Sequence, residues 1–163
     1  MDRIDKEFEA LFSRYEEPIC SYLARMTGDL PRAQELAQET FLRAYQAMAR
    51  GETWENPRAW LYRVASRLAA NDHRRRKLLQ WVPLGDRDLA PGPSPAEGTA
   101  VRLDFQAALN TLPPRYRAPL LLAVVADCRV AEIAEILGLG SSAVKMRLSR
   151  AREMLRRAYN EGQ

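Results

Sequence analysis

The chain has 163 residues, with 25 Lys and Arg against 21 Asp and Glu, giving a formal net charge of +4. That length allows one domain or two small ones, since domains run to about 50–200 residues. No apolar run approaches the roughly 18–20 residues that span a bilayer. The N-terminal stretch MDRIDKEFEALF is acidic and amphipathic rather than a basic-then-apolar signal, so a cytoplasmic protein is expected.

Cys20 and Cys128 are far apart and lack ligand spacing, and the single histidine, His73, sits among arginines. Both cysteines read as buried or incidental thiols, with no metal site. Without a Gly-rich phosphate loop, a metal box or a nucleophile elbow, neither an enzyme nor a cofactor is expected.

Residues 4–26 place Ile4, Phe8, Leu11, Phe12, Tyr15, Ile19, Tyr22, Leu23 and Met26 at three- and four-residue steps, one face of a helix bent or restarted near Pro18. Gly28 ends it, and Asp29 and Pro31 open a second helix from about Leu30 to Ala49. Its apolar stripe is Ala33, Leu36, Ala37, Thr40, Phe41, Ala44, Tyr45 and Met48. A third helix runs from about Pro57 to Leu79 and ends in Arg74-Arg75-Arg76-Lys77. These three helices make one bundle over residues 1–80.

Residues 81–99 carry four prolines and three glycines without periodicity, which predicts a flexible linker. A second unit over 100–163 begins with a helix to about Thr111, breaks at Pro113-Pro114 and continues as a helix to about Ala126. Pro119 inside that helix predicts a kink. The fold class is all-α, two small helical domains with three and four helices.

Val130–Arg157 then reads as a helix-turn-helix. Ile133, Ala134, Ile136 and Leu137 form the apolar face of its first helix, Gly138 permits a left-handed stop, and Ser141 or Ser142 is placed to cap the second. Val144, Leu148 and Leu155 take the buried side of the second helix, leaving Lys145, Arg147, Arg150 and Arg152 for phosphates and base edges.

Charge is not spread evenly. Residues 56–80 carry seven basic groups and one acidic, residues 113–163 nine and five, while residues 1–55 have a net charge of −4. Two separate basic surfaces imply contact with a polyanion at two places.

Four stretches in order resemble the extracytoplasmic-function (ECF) class of bacterial RNA polymerase sigma factors, covering nearly the whole chain: AQELAQETFLRAY (33–45), RAWLYRVASRLAANDHRRRK (58–77), ALNTLPPRYRAPLLL (108–122) and the helix-turn-helix. The resemblance implies an alternative sigma factor that binds core polymerase, recognises minus-35 and minus-10 promoter elements, and assists melting. It implies core-polymerase contacts at Glu35, Gln38, Glu39, Phe41 and Arg43. It implies minus-10 contacts at Trp54, Asn56, Tyr62, Arg63, Arg67, Asn71, Arg74 and Arg75, with aromatics and cations suited to single strands. On the face of it, Tyr62 is free to stack bases, whereas Trp60, with Val64 and Leu68 on its side, reads as core. Minus-35 contacts fall on Ser141, Ser142, Lys145, Met146, Arg147, Ser149, Arg150 and Arg152. An anti-sigma protein is a further implied partner.

The chain departs from the family pattern at Arg129, which stands where a Ser or Thr cap is usual, and at Cys128, where glycine is usual. Arg67 replaces a usual asparagine, and Gln34-Glu35 a Glu-Asp pair. Two rival readings are a stand-alone helix-turn-helix regulator, which binds DNA tightly without polymerase, and an RNA-binding regulator using the 74–77 run.

Overall fold

The computed structural model describes residues 2–81 and 100–162, apart from the side chains of 100–103. The proline-rich stretch after Trp81 lies outside the described residues. Seven helices run in order: α1 (Arg3–Thr27), α2 (Leu30–Ala49), α3 (Pro57–Gln80), α4 (Ala100–Asn110), α5 (Pro114–Val124), α6 (Val130–Leu137) and α7 (Ser141–Glu161). Among the described residues there is no strand, and no helix is long and apolar enough to cross a membrane.

The expected break at Pro18 does not occur. Helix α1 is continuous, and Pro18 lies on its exposed side, where a missing backbone donor and a carbonyl left free can be met by water. Likewise α5 runs through Pro119, which is buried among Ala118, Leu120, Leu121 and Leu122. Pro119 is the sixth residue of a helix that ends at Val124, two residues short of the expected end.

Gly28 closes α1 in the left-handed conformation at φ 69°, its N–H returning to Ala24 O at 2.9 Å. Its missing side chain also matters, because a Cβ there would lie 2.8 Å from Asn110 Oδ1 of α4. Asp29 caps α2 by accepting from Arg32 N at 3.1 Å, and Asn56 caps α3 by accepting from Ala59 N at 3.1 Å.

Helices α1 to α3 enclose Ile19, Tyr22, Leu23, Leu36, Phe41, Leu61, Tyr62 and Leu68. Phe8, Phe12, Phe41 and Tyr45 form an aromatic cluster where α1 meets α2, with Phe12 and Phe41 edge to face at 5.0 Å. Inside the bundle the Tyr22 and Ser66 hydroxyls share a buried hydrogen bond of 2.7 Å. Asp72, 6% exposed, joins the helices by charge, pairing with Arg32 at 2.6 Å and Arg76 at 3.2 Å while Arg76 also reaches Asp29 at 3.1 Å.

Helices α4 to α7 add Leu109, Leu112, Leu120, Leu121, Leu122, Ile133, Ile136, Val144, Leu148 and Ala151, which are continuous with that core. The second unit does not stand apart: α5 packs on α1, and α6 packs on α3. Arg58 of α3 pairs with Glu132 of α6 at 3.3 Å and donates to Ala126 O. Arg63 donates to Glu135 O at 2.6 Å, and Arg25 to Gln106 Oε1 at 3.3 Å.

Arg117 is the most unusual part of this interface. It is 4% exposed and has no carboxylate partner among the described residues. Its guanidinium instead donates to two carbonyls at helix ends, Asn110 O at 3.0 Å and Met26 O of the first unit, and to Leu112 O in the turn between α4 and α5 at 2.7 and 3.1 Å. Helix C-termini leave such oxygens unpaired and carry partial negative charge, so one planar fork satisfies two of them together with the turn carbonyl. Burial pushes the guanidinium down to about 10.

Candidate nucleic-acid interface

Helix α7 owes its two faces to spacing. Val144, Leu148 and Ala151 recur at three and four residues and are buried, which turns Ser141, Ser142, Lys145, Met146, Ser149, Arg150 and Arg152 to solvent. No acidic residue interrupts that face before Glu153. Arg150 lies beside Tyr116 of α5, and that guanidinium holds the Tyr116 phenol below its usual range. The turn before α7 is set by Gly138 at φ 67°, its N–H bonded to Ala134 O.

The two serines do not cap α7. Gly140 takes the N-cap position, and no side-chain oxygen accepts from the first turn. Both serines already lie inside the helix, so their amides and hydroxyls remain exposed at its positive end. Arg129 likewise occupies the N-cap of α6 without a side-chain bond. Arg147 is turned away from the exposed face and lines a cleft against α3. Leu155, expected to be buried, is half-buried near the end of α7.

On α3, Arg67, Asn71, Arg74 and Arg75 are exposed, and Asn71 accepts a hydrogen bond from Arg74. Arg63 is half-buried, because α6 covers it. Tyr62 is a correction: it is 2% exposed, edge to face with Tyr22 at 5.3 Å, and cannot stack an unpaired base. Burial pushes its phenol up to about 12. Trp60 is half-buried, stacked on Trp54 with ring centres 4.2 Å apart. The Trp54 indole N–H is buried without a hydrogen-bond partner. Asn56 spends its carbonyl on the α3 cap and offers its amide to Glu132 at 3.5 Å. Within the 74–77 run, Arg76 is held by Asp29 and Asp72 and is not available as a free cation.

On α2, Glu35, Gln38 and Arg43 are exposed and Glu39 is half-buried, with Glu39 paired to Arg43 at 2.9 Å. Phe41 is the second correction, 3% exposed and committed to the aromatic cluster with α1. Its neighbour Leu42 is 51% exposed and offers the apolar contact that the resemblance assigned to Phe41. A single apolar residue beside the core stripe gives no periodicity signal that would mark it. Cys20 is half-buried and Cys128 buried, and burial pushes the Cys128 thiol up to about 12, as an unreactive thiol requires. Among the described residues no group of His, Cys, Asp or Glu is arranged to hold a metal ion.

Residues 11–78 match the family model for Sigma-70 region 2, and residues 102–155 that for Sigma-70, region 4. The ECF RNA polymerase sigma factor SigG of Mycobacterium tuberculosis is 36% identical over 91% of this chain, which spans 48% of that protein. The chain thus has about half the length of that relative. SigL of the same species is 31% identical over 93% of this chain and 88% of its own, and SigW of Bacillus subtilis 29% identical over 94% and 89%. In overall fold the chain is similar to the sigma factor RpoE solved with the anti-sigma factor NepR from Bartonella quintana, at a TM-score of 0.75 and 22% identity over 95% of this chain and 98% of that one. It is also similar to CnrH solved with the cytosolic domain of CnrY, at a TM-score of 0.70 and 20% identity over 98% and 91%. With both regions present in order and a relative above 30% identity matched over nearly its full length, the chain belongs to the ECF RNA polymerase sigma factors.

Proposed function

We propose that this chain is a non-catalytic transcription initiation subunit acting in the cytoplasm, with residues 1–80 as the polymerase and minus-10 module, 81–99 as linker and 100–163 as the minus-35 module. The observation that carries the reading is the exposed face of α7, free of carboxylates from Ser141 to Arg152 and set opposite its buried stripe, in a chain that matches both sigma regions. Lys145 and Arg150 suit guanine O6 and N7, while Ser142 and Arg152 suit phosphates. Trp54, Asn56, Arg63, Arg67, Asn71, Arg74 and Arg75 serve the melted minus-10 strand, where capture of unstacked bases drives opening without hydrolysis. Glu35, Gln38, Glu39, Leu42 and Arg43 form the polymerase-facing side of α2. An anti-sigma protein is a natural antagonist, as the similar sigma factor RpoE is solved in complex with the anti-sigma factor NepR.

This function requires the two modules to separate, because α6 covers Arg63 and engages Asn56. The test mixes the protein with sigma-free core polymerase and a promoter library and maps transcript starts. New starts sharing two spaced elements are expected. Failure to bind core, or tight specific DNA binding by the free protein alone, would favour a stand-alone regulator.

A further inference from the structure

The cleft between α3 and the second module gathers more positive charge than its neighbours neutralise. It encloses about 760 Å³, within the range of about 300–1,000 Å³ typical of small-molecule sites. Arg63, Arg67, Arg74 and Lys77 enter from α3, Arg115 from α5 and Arg147 from α7, and no Asp or Glu lines the walls. None of the six has an ion-pair partner among the described residues. Nearby Arg32, Arg58 and Arg76 each have a carboxylate, so the cleft is a local exception rather than a sample of a basic surface. Like charges from two modules repel across the boundary, and repulsion in a partly enclosed site is poorly screened. A multivalent anion seated between them would turn that repulsion into a bridge. The volume is too small for a duplex, and the apolar floor of Leu112, Pro113 and Ile136 leaves the charges on the walls.

We infer that this cleft binds a compact polyphosphate, as an inorganic chain or as the phosphate tail of a nucleotide, which links α3 to Arg115 and Arg147 and holds the modules together. Lys77 and Arg115 stand outside the residues proposed to contact promoter, so failure of this inference leaves the sigma-factor reading untouched, and the reverse.

The test is calorimetric titration of the full chain at about 0.15 M ionic strength with tripolyphosphate, ATP and AMP in separate arms. One tripolyphosphate site per chain is expected, with AMP bound at least about tenfold more weakly. ATP binding above tripolyphosphate would identify a nucleotide tail, and the reverse order an inorganic chain. The double substitution Lys77→Ala, Arg115→Ala should weaken binding by about tenfold or more while promoter-directed transcription with core is retained. Glu132→Lys opens the Arg58 contact between modules without altering a residue that lines the cleft, and adds positive charge. The bridge requires weaker tripolyphosphate binding in this variant, whereas diffuse attraction requires tighter binding. Several equivalent sites per chain, unchanged affinity in the double variant, or tighter binding to Glu132→Lys would each overturn the inference. So would a single-stranded oligonucleotide that occupies the same site more tightly than tripolyphosphate.

Discussion

Replacing Arg117 with methionine tests whether one buried cation couples the two modules. The substitution keeps an unbranched apolar stem but withdraws donors from Met26, Asn110 and Leu112 carbonyls. Hydrogen bonds to a charged donor contribute about 1.5–3 kcal/mol each, so three carbonyls represent a gross loss of about 5–9 kcal/mol. Removing the guanidinium also relieves its desolvation, which is several kcal/mol for a buried ion, leaving a net destabilisation of about 2–4 kcal/mol. Arg117→Lys keeps the charge without the planar fork and should recover about half of that loss. All three tryptophans, Trp54, Trp60 and Trp81, belong to the first half of the chain, so fluorescence follows one module and far-ultraviolet circular dichroism follows both. In urea the two signals of the parent protein should coincide. In Arg117→Met they should separate, with circular dichroism moving at lower denaturant, because a unit of some sixty residues is marginal alone. A loss below about 1 kcal/mol with coincident transitions would refute the reasoning.

Arg150→Ala should remove discrimination at the upstream promoter element, by about 1–3 kcal/mol for a bidentate base contact, while core-polymerase affinity measured by fluorescence anisotropy stays constant. An equal loss of both would count against the division of labour between modules. Gly28→Ala forces a left-handed Ala and a Cβ against Asn110, so chemical denaturation should show a loss of about 1–2 kcal/mol. His73 has its pKa lowered by burial and then by Arg117, Lys77 and Arg76, against the opposing pull of Asp72. The folded state therefore binds fewer protons than the unfolded chain as pH falls below the ordinary histidine value, so stability falls with pH through that window. His73→Gln should flatten the slope of melting temperature between about pH 7 and pH 5; a slope unchanged from the parent would assign the effect to other groups.

Element boundaries were legible because punctuation and periodicity agree: Gly28-Asp29, Asn56-Pro57 and Gly138 each stop or start a helix within a residue or two of the expected place. The exposed face of α7 was legible for the same reason, since Val144 and Leu148 fix the helix rotation. Tyr62 was not legible as core because helix phase gives an angle and not a neighbour, whereas Phe41 already stood on the apolar stripe of α2 and only the family resemblance turned it toward polymerase. Tyr62 meets Tyr22 of α1, and Phe41 meets Phe12, so burial on those faces depends on a second helix arriving. Arg117 was invisible for a related reason: a cation held only by carbonyls leaves no complementary residue type in the sequence. The docking of α6 on α3 is also a relation between modules that no local pattern encodes, although Glu132 and Arg58 carry its charge.

That docking sets a threshold for use of the protein. If polymerase accepts only the separated form, the free energy of closing the modules is subtracted from the intrinsic affinity for core. A closing energy of about 2.7 kcal/mol leaves roughly one molecule in a hundred open and weakens apparent affinity about a hundredfold. Substitutions such as Glu132→Lys, far from α2 and from the face of α7, would then change how well the chain competes with other initiation factors for a limited pool of polymerase. Rank in that competition becomes a property of the seam between modules, tunable without altering any residue that touches promoter or enzyme.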